Sequence, residues 1–204
     1  MINIMTDMKL ENIKRINELW GQVYPFLTSV IMDDFGRHSG RVLEVGPFSG
    51  GLSMELARLY PGLDITIATW ESDEMKYMEN EVADAGLVDR IKVVKAGRDV
   101  FDFTDEYFDL IICRGALFFL DERLLLETFR MLAKNGFAFI GGGYGRSTPQ
   151  HVIDAIHDES HVLNQSLGKR WITRGILENL LRETGLTNHC RIEEEGGLWL
   201  IIRK

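Results

Sequence analysis

Apolar residues recur at helical spacing through the first part of the chain: Ile13, Ile16, Leu19 and Val23, then Phe26, Leu27, Val30 and Ile31. Pro25 suits a first helical turn and not a helix interior, so the pattern predicts two helices that meet there, with residues 36–40 as a stop. From residue 41 the period changes. Residues 41–45 form a short apolar run that predicts a strand. Leu52, Glu55, Leu56 and Leu59 then restore helical spacing over 51–60, ended by Pro61-Gly62. Residues 64–70, 91–95, 108–113 and 137–140 read as four further strands. Between them lie helical stretches at 73–85, capped by Gly86, and 121–132, stopped by Asn135-Gly136. After a glycine-rich segment at 141–145, residues 148–164 and 173–184 predict two more helices. Two closing strands, 189–195 and 198–203, are joined by a tight Gly196-Gly197 turn.

Strands alternating with helices imply a mostly parallel sheet covered on both faces, and the terminal hairpin adds an antiparallel edge strand. The chain has 204 residues, which fits a single α/β domain, residues 1–204. Residues 1–40 make a helical cap and 41–204 the core.

Composition narrows the function classes. The chain is 45% apolar and 26% charged, as soluble globular proteins are. A net charge of −8 argues against bulk nucleic acid as the main partner, because phosphate neutralisation needs clustered Lys and Arg. The two cysteines, Cys113 and Cys190, lack any zinc or disulfide spacing and fit a reducing compartment. There is no long apolar run for a membrane span and no signal-peptide pattern at the N-terminus, so a cytoplasmic location is expected.

The chemistry concentrates at residues 42–50. An apolar run carries an acidic residue, Glu44, then breaks into a turn holding Gly46, Gly50 and Gly51 before the next helix. Strand, glycine turn and helix begin a nucleotide-binding α/β unit. A carboxylate there would repel a phosphate and suits a cationic, phosphate-free ligand.

This turn, with three other stretches in the same order, resembles the class I S-adenosylmethionine-dependent methyltransferases. Glu44-Val45-Gly46-Pro47-Phe48-Ser49-Gly50 is similar to the first motif of that family, an acidic residue followed by spaced glycines. Ala85 through Ile91 resembles the turn into the third strand, Tyr107 through Ile111 the entry to the fourth, and Leu132 through Phe137 the turn into the fifth. The likeness covers 41–204 and implies a Rossmann-like, seven-stranded sheet.

The resemblance implies S-adenosylmethionine as cofactor and a role for each matching residue. Glu44 would orient the methionine ammonium. Gly46, Phe48 and Gly50 would offer backbone to the methionine and ribose. Glu71, with Ser72 beside it, would bind the ribose hydroxyls, because a carboxylate accepts two hydrogen bonds at once. Strict spacing sets Trp70 there instead, its indole against the adenosine. Arg98 and Asp99 would meet the adenine. Cys113 and Arg114 would leave the fourth strand beside the sulfur. Two departures stand out: Phe48 replaces the middle glycine, and Arg98 takes a place the family usually gives to an acid.

Outside the motif, Tyr144 and His151 are the candidate bases for a hydroxyl acceptor. His157 and His161, one helical turn apart, with His151 upstream, have metal-capable spacing, but a solvated polar helix face is the favoured reading and no metal is expected. Arg114 and Arg146 either face the pocket, which implies an anionic substrate group, or pair with Asp121 or Glu122. Trp20 and Tyr24 either close over the cofactor or pack in the core. Glu193 to Glu195 is expected to be a solvated strand end.

The first reading is methyl transfer to a small-molecule nucleophile, with no nucleic-acid or membrane partner and a homodimer left open. The rivals are a non-catalytic binding protein on the same fold and an RNA methyltransferase.

Overall fold

The computed structural model describes residues 4–97, 101–168 and 172–204, with side chains from residue 9 onward. Two helices lead, α1 (Ile4–Trp20) and α2 (Tyr24–Phe35), with Pro25 in the first turn of α2. The core then runs β1 (Ser39–Val45), α3 (Gly51–Leu59), β2 (Gly62–Thr69), α4 (Ser72–Asp84), β3 (Ile91–Lys95), β4 (Phe108–Arg114), α5 (Glu122–Met131), β5 (Leu132–Gly143), α6 (Gln150–Ser166), α7 (Arg174–Glu183), β6 (Cys190–Glu193) and β7 (Gly197–Arg203).

The seven strands lie in the order β3-β2-β1-β4-β5-β7-β6. All neighbours pair parallel except β7, which runs antiparallel to both β5 and β6. The reversed strand therefore sits one place in from the edge, and β6 takes the edge itself. The burial pattern fits this order. Strand β7 carries the fully buried run Trp199 to Ile202, whereas β6 is four residues long and only partly buried, as edge strands are. In β4, Leu110, Ile111 and Ile112 are all fully buried, which requires cover on both faces of the sheet.

One boundary differs from the sequence pattern in kind. The stop at Asn135-Gly136 lies inside β5 instead of before it. Asn135 takes a left-handed φ of 61°, and the terminal residue holds the segment open: Asn135 N–H donates to Lys204 O, and Lys204 N–H to Gly136 O. Asparagine tolerates this conformation better than most residues.

The order places β1 between β2 and β4. The chain winds outward from β1 to β3, then returns to β4 on the other side. The β1/β4 junction is thus the point where the winding reverses, and open α/β sheets take ligands just beyond the carboxyl ends of the strands there.

Candidate functional site at the carboxyl ends of the strands

Four loops meet beyond that junction: Gly46–Gly50 after β1, Trp70–Glu71 after β2, Gly115–Phe119 after β4 and Tyr144 after β5. In the first, Gly46 and Gly50 take φ of 108° and 112°. Glu44 points into this turn and is 0% exposed. Its Oε2 accepts from Gly50 N–H at 2.9 Å and Ser53 N–H at 3.0 Å, the open amides at the start of α3. Its Oε1 is buried without a partner among the described residues. Burial pushes the Glu44 carboxyl upward, opposed by the Ser53 and Gly50 bonds and by the positive field of Arg114.

Two cavities open on either side of a shared wall. The wall is the Phe48–Phe118 pair, ring centroids 5.0 Å apart. The first cavity, about 540 Å³, is bounded by Pro47, Trp70, Glu71, Glu74, Phe119 and the wall. Glu71 is exposed at its rim, and Glu74 accepts from Glu71 N–H, fixing the first turn of α4. Trp70 meets Phe119 edge to face at 4.4 Å. The second cavity, about 370 Å³, is bounded by Trp20, Arg114, Leu117 and Gly142, again with the wall. Phe48 also packs close over Gly115: a Cβ there would lie 2.4 Å from the ring, so only glycine fits.

Arg114 is 3% exposed. Its Nη2 donates to Asn17 Oδ1 (2.6 Å), Tyr24 OH (2.9 Å) and Phe48 O (2.6 Å), and the rings of Trp20, Tyr24 and Phe48 surround the guanidinium. It thereby ties the helical cap to the β1 loop and does not pair with Asp121 or Glu122. Asp121 caps α5 through Leu124 N–H. Arg146 is turned away from the cavities and pairs with Asp34 and Glu193. Glu193 thus pairs with Arg146 and the exposed Glu194 with Arg174, while Glu195 is exposed, so the strand end is solvated at Glu194 and Glu195.

The expected residues divide accordingly. Glu44, Gly46, Phe48, Gly50, Glu71 and Arg114 converge on the two cavities and the loop beneath them. Ser72 is exposed and accepts from Lys95 Nζ at 2.9 Å. Cys113 is fully buried at the end of β4, its thiol pushed far up by burial. Arg98 and Asp99 lie outside the described residues. Tyr144 stacks on Trp20 at 5.1 Å, and its hydroxyl lies 3.4 Å from His157 Nδ1. His151 is exposed on the first turn of α6. His157 and His161 stack on one another at 6.2 Å, and no metal-binding group of His, Cys, Asp or Glu occurs among the described residues.

Sequence reasoning overlooked Asn17 and Ser160, the polar contacts by which the cap holds Arg114 and α6. Asn17 did leave a signal, a polar residue inside the apolar stripe of Ile13, Ile16 and Trp20.

A doubly wound sheet with one reversed strand, an acidic glycine turn and an aromatic cleft at its switch point make up an α/β architecture of the kind that takes ligands beyond the carboxyl ends of its strands. Comparison with known proteins gives the family. Residues 42–136 match the model of a methyltransferase domain. A proposed S-adenosylmethionine-dependent methyltransferase from Methanococcus maripaludis superposes with a TM-score of 0.80, at 27% identity over 96% of this chain and 93% of that one. The geranyl diphosphate C-methyltransferase of Streptomyces coelicolor, bound to Mg2+, geranyl diphosphate and S-adenosylhomocysteine, shares the fold, with a TM-score of 0.62 and 11% identity over 88% of this chain and 79% of that one. A ubiquinone/menaquinone biosynthesis C-methyltransferase of Stutzerimonas stutzeri is 25% identical over 76 residues, 37% of this chain and 30% of that relative. Residues 42–136 thus carry a methyltransferase domain, and the chain as a whole has the fold of S-adenosylmethionine-dependent methyltransferases.

Proposed function

We propose that the protein transfers a methyl group from S-adenosylmethionine to a small-molecule nucleophile. The observation that carries this reading is the pair of carboxylates, Glu44 and Glu71, at the ends of adjacent strands around an aromatic cleft. Such a cleft suits a nucleoside with a cationic tail and suits a phosphate poorly. The donor set fits that cofactor. Glu71 lies exposed at the rim, where its carboxylate accepts from Glu74 N–H in a capping box and offers its remaining acceptor capacity to a ribose diol, and Glu44 Oε1 is a buried acceptor with an unmet hydrogen bond, suited to an ammonium. Trp70, Phe118 and Phe119 offer ring faces for a purine. The backbone at Gly46, Phe48 and Gly50 and the β4 exit at Cys113 and Arg114 border the remainder, while Ser72, Arg98 and Asp99 stay as flanking assignments.

When bound, S-adenosylmethionine supplies an electrophilic methyl on a sulfonium. The work left to this chain is to position the acceptor and to exclude water. Trp20, Phe48 and Phe118 give the cavity beside Arg114 apolar walls. Burial pushes the Tyr144 phenol upward, against Ser160, so at neutral pH it keeps its proton. A phenol that keeps its proton is a poor base, and His151, exposed on α6, is the remaining base candidate for a hydroxyl acceptor.

Calorimetric titration of S-adenosylhomocysteine into wild type and Glu71→Ala tests the reading. Micromolar binding that weakens at least tenfold in the variant is expected. Unchanged binding would move the ribose role to Trp70. One observation favours the second reading, a binding protein without activity: the Phe48–Phe118 wall closes the cleft between its two cavities, and Phe119 lies over Gly46. No binding to wild type at millimolar ligand would select it.

A further inference from the structure

The cavity beside the end of β4 holds a cation, Arg114, that no acidic side chain among the described residues neutralises directly. All three hydrogen bonds of Arg114 leave from Nη2, and all three acceptors are neutral: the Asn17 amide oxygen, the Tyr24 hydroxyl and the Phe48 carbonyl. Nε is buried without a partner among the described residues. The aromatic cage lessens the cost of burying the charge, since Trp20, Tyr24 and Phe48 lie within cation–π range. Ring contacts do not use up the in-plane N–H groups, however, and a guanidinium has five of them in a fork that matches a carboxylate. Glu44 is felt only through its field, because its one bonded oxygen is committed to Gly50 and Ser53. A buried arginine is costly to keep unless an anion completes it.

Resting on the methyltransferase reading, we infer that the acceptor is a small carboxylate, its anion held by Arg114 and its flat body against Trp20, Phe48 and Phe118. The cavity's other walls are apolar, Ile16 and Leu117, with Asn164 as a polar edge.

The same carboxylate chemistry occurs in the amino-acid tail of the cofactor, so the test separates the two sources. Benzoate and phenylacetate, and their neutral amides, are titrated into wild type with and without saturating S-adenosylhomocysteine. At least a tenfold preference for the acids is expected, lost in Arg114→Gln and partly kept in Arg114→Lys. Equal binding of acids and amides to wild type, or none of either, overturns the inference without recourse to a variant. S-adenosylhomocysteine and 5′-methylthioadenosine, which lacks the amino-acid tail, are titrated into wild type and Arg114→Lys. A tenfold loss confined to the former would assign Arg114 to the cofactor's own carboxylate and overturn the acceptor role. An acid preference in a protein that binds no S-adenosylhomocysteine would leave an anion site and refute the methyltransferase reading beneath it.

Discussion

A carboxylate taken wholly out of water has two oxygens to satisfy, and Glu44 satisfies one. Its native carboxyl titrates above its ordinary value of 4.5, chiefly because burial penalises the charge. A raised native value means that this group's stabilising share is present at low pH and is lost as pH rises through the native value. Glu44→Gln keeps the oxygen that accepts from Gly50 and Ser53 and removes the charge. Melting curves from pH 5 to 8 are therefore expected to shift in favour of Glu44→Gln, relative to wild type, as pH rises; a gap independent of pH would refute the account. The motif spacing made Glu44 visible as an acid near a ligand. It did not show that half of the acid's hydrogen-bonding capacity is spent on holding the α3 amides, because that depends on how the turn folds back over the strand end.

Between elements, the glycines of β5 matter for close approach. Gly143 pairs with Gly197 across the antiparallel β5–β7 ladder, and a Cβ on Gly143, at φ 141°, would lie 2.3 Å from the Gly197 Cα. Gly36, at φ 71°, has nothing within 4 Å of its Cβ position. Gly36→Ala pays only for the left-handed backbone, about 1–2 kcal/mol. Gly143→Ala adds overpacking worth about 1–3 kcal/mol more. Urea unfolding should rank the two in that order, and equal losses would mean that the ladder can shift. The cap is pinned differently. Trp20 Nε1 donates to buried Ser160 Oγ at 3.0 Å, joining α1 to α6, while Arg15 and Glu159 pair in the open nearby. Trp20→Phe should cost about 1 kcal/mol for the lost bond, a fall of roughly 2–4 °C in Tm for a chain of this size. Losing Arg15 should matter less, and less still in high salt. The helices of the cap were legible from their 3.6-residue period, but the partner of Trp20 was not, since Ser160 lies 140 residues away.

At the scale of the molecule, ligand binding and folding are linked, because the cleft is assembled from loops after four strands and from a cap that Arg114 ties to one of them. S-adenosylhomocysteine at 100 times its dissociation constant should stabilise the fold by about 2.7 kcal/mol. Scanning calorimetry should show this as a rise of roughly 5–10 °C in Tm. A smaller rise at the same saturation would mean that the unfolded chain also binds. No helix among the described residues is long and apolar enough to cross a membrane.

The amino-acid sequence alone determined the alternation of strands and helices, the glycine turn with its acidic residue and the family likeness. Each of these is a local pattern, governed by residue period, backbone freedom and short-range spacing. The tertiary structure alone decided three things. It set β7 inside the sheet with β6 at the edge, because strand order depends on which neighbour each strand meets and not on the hairpin's own turn. It turned Arg146 away to Asp34 and Glu193, an ion pair between residues 112 and 47 positions apart. It carried Arg114 inward, among three rings and three neutral acceptors from distant parts of the chain. A side chain's partners depend on packing between elements, and no periodicity within one element records them.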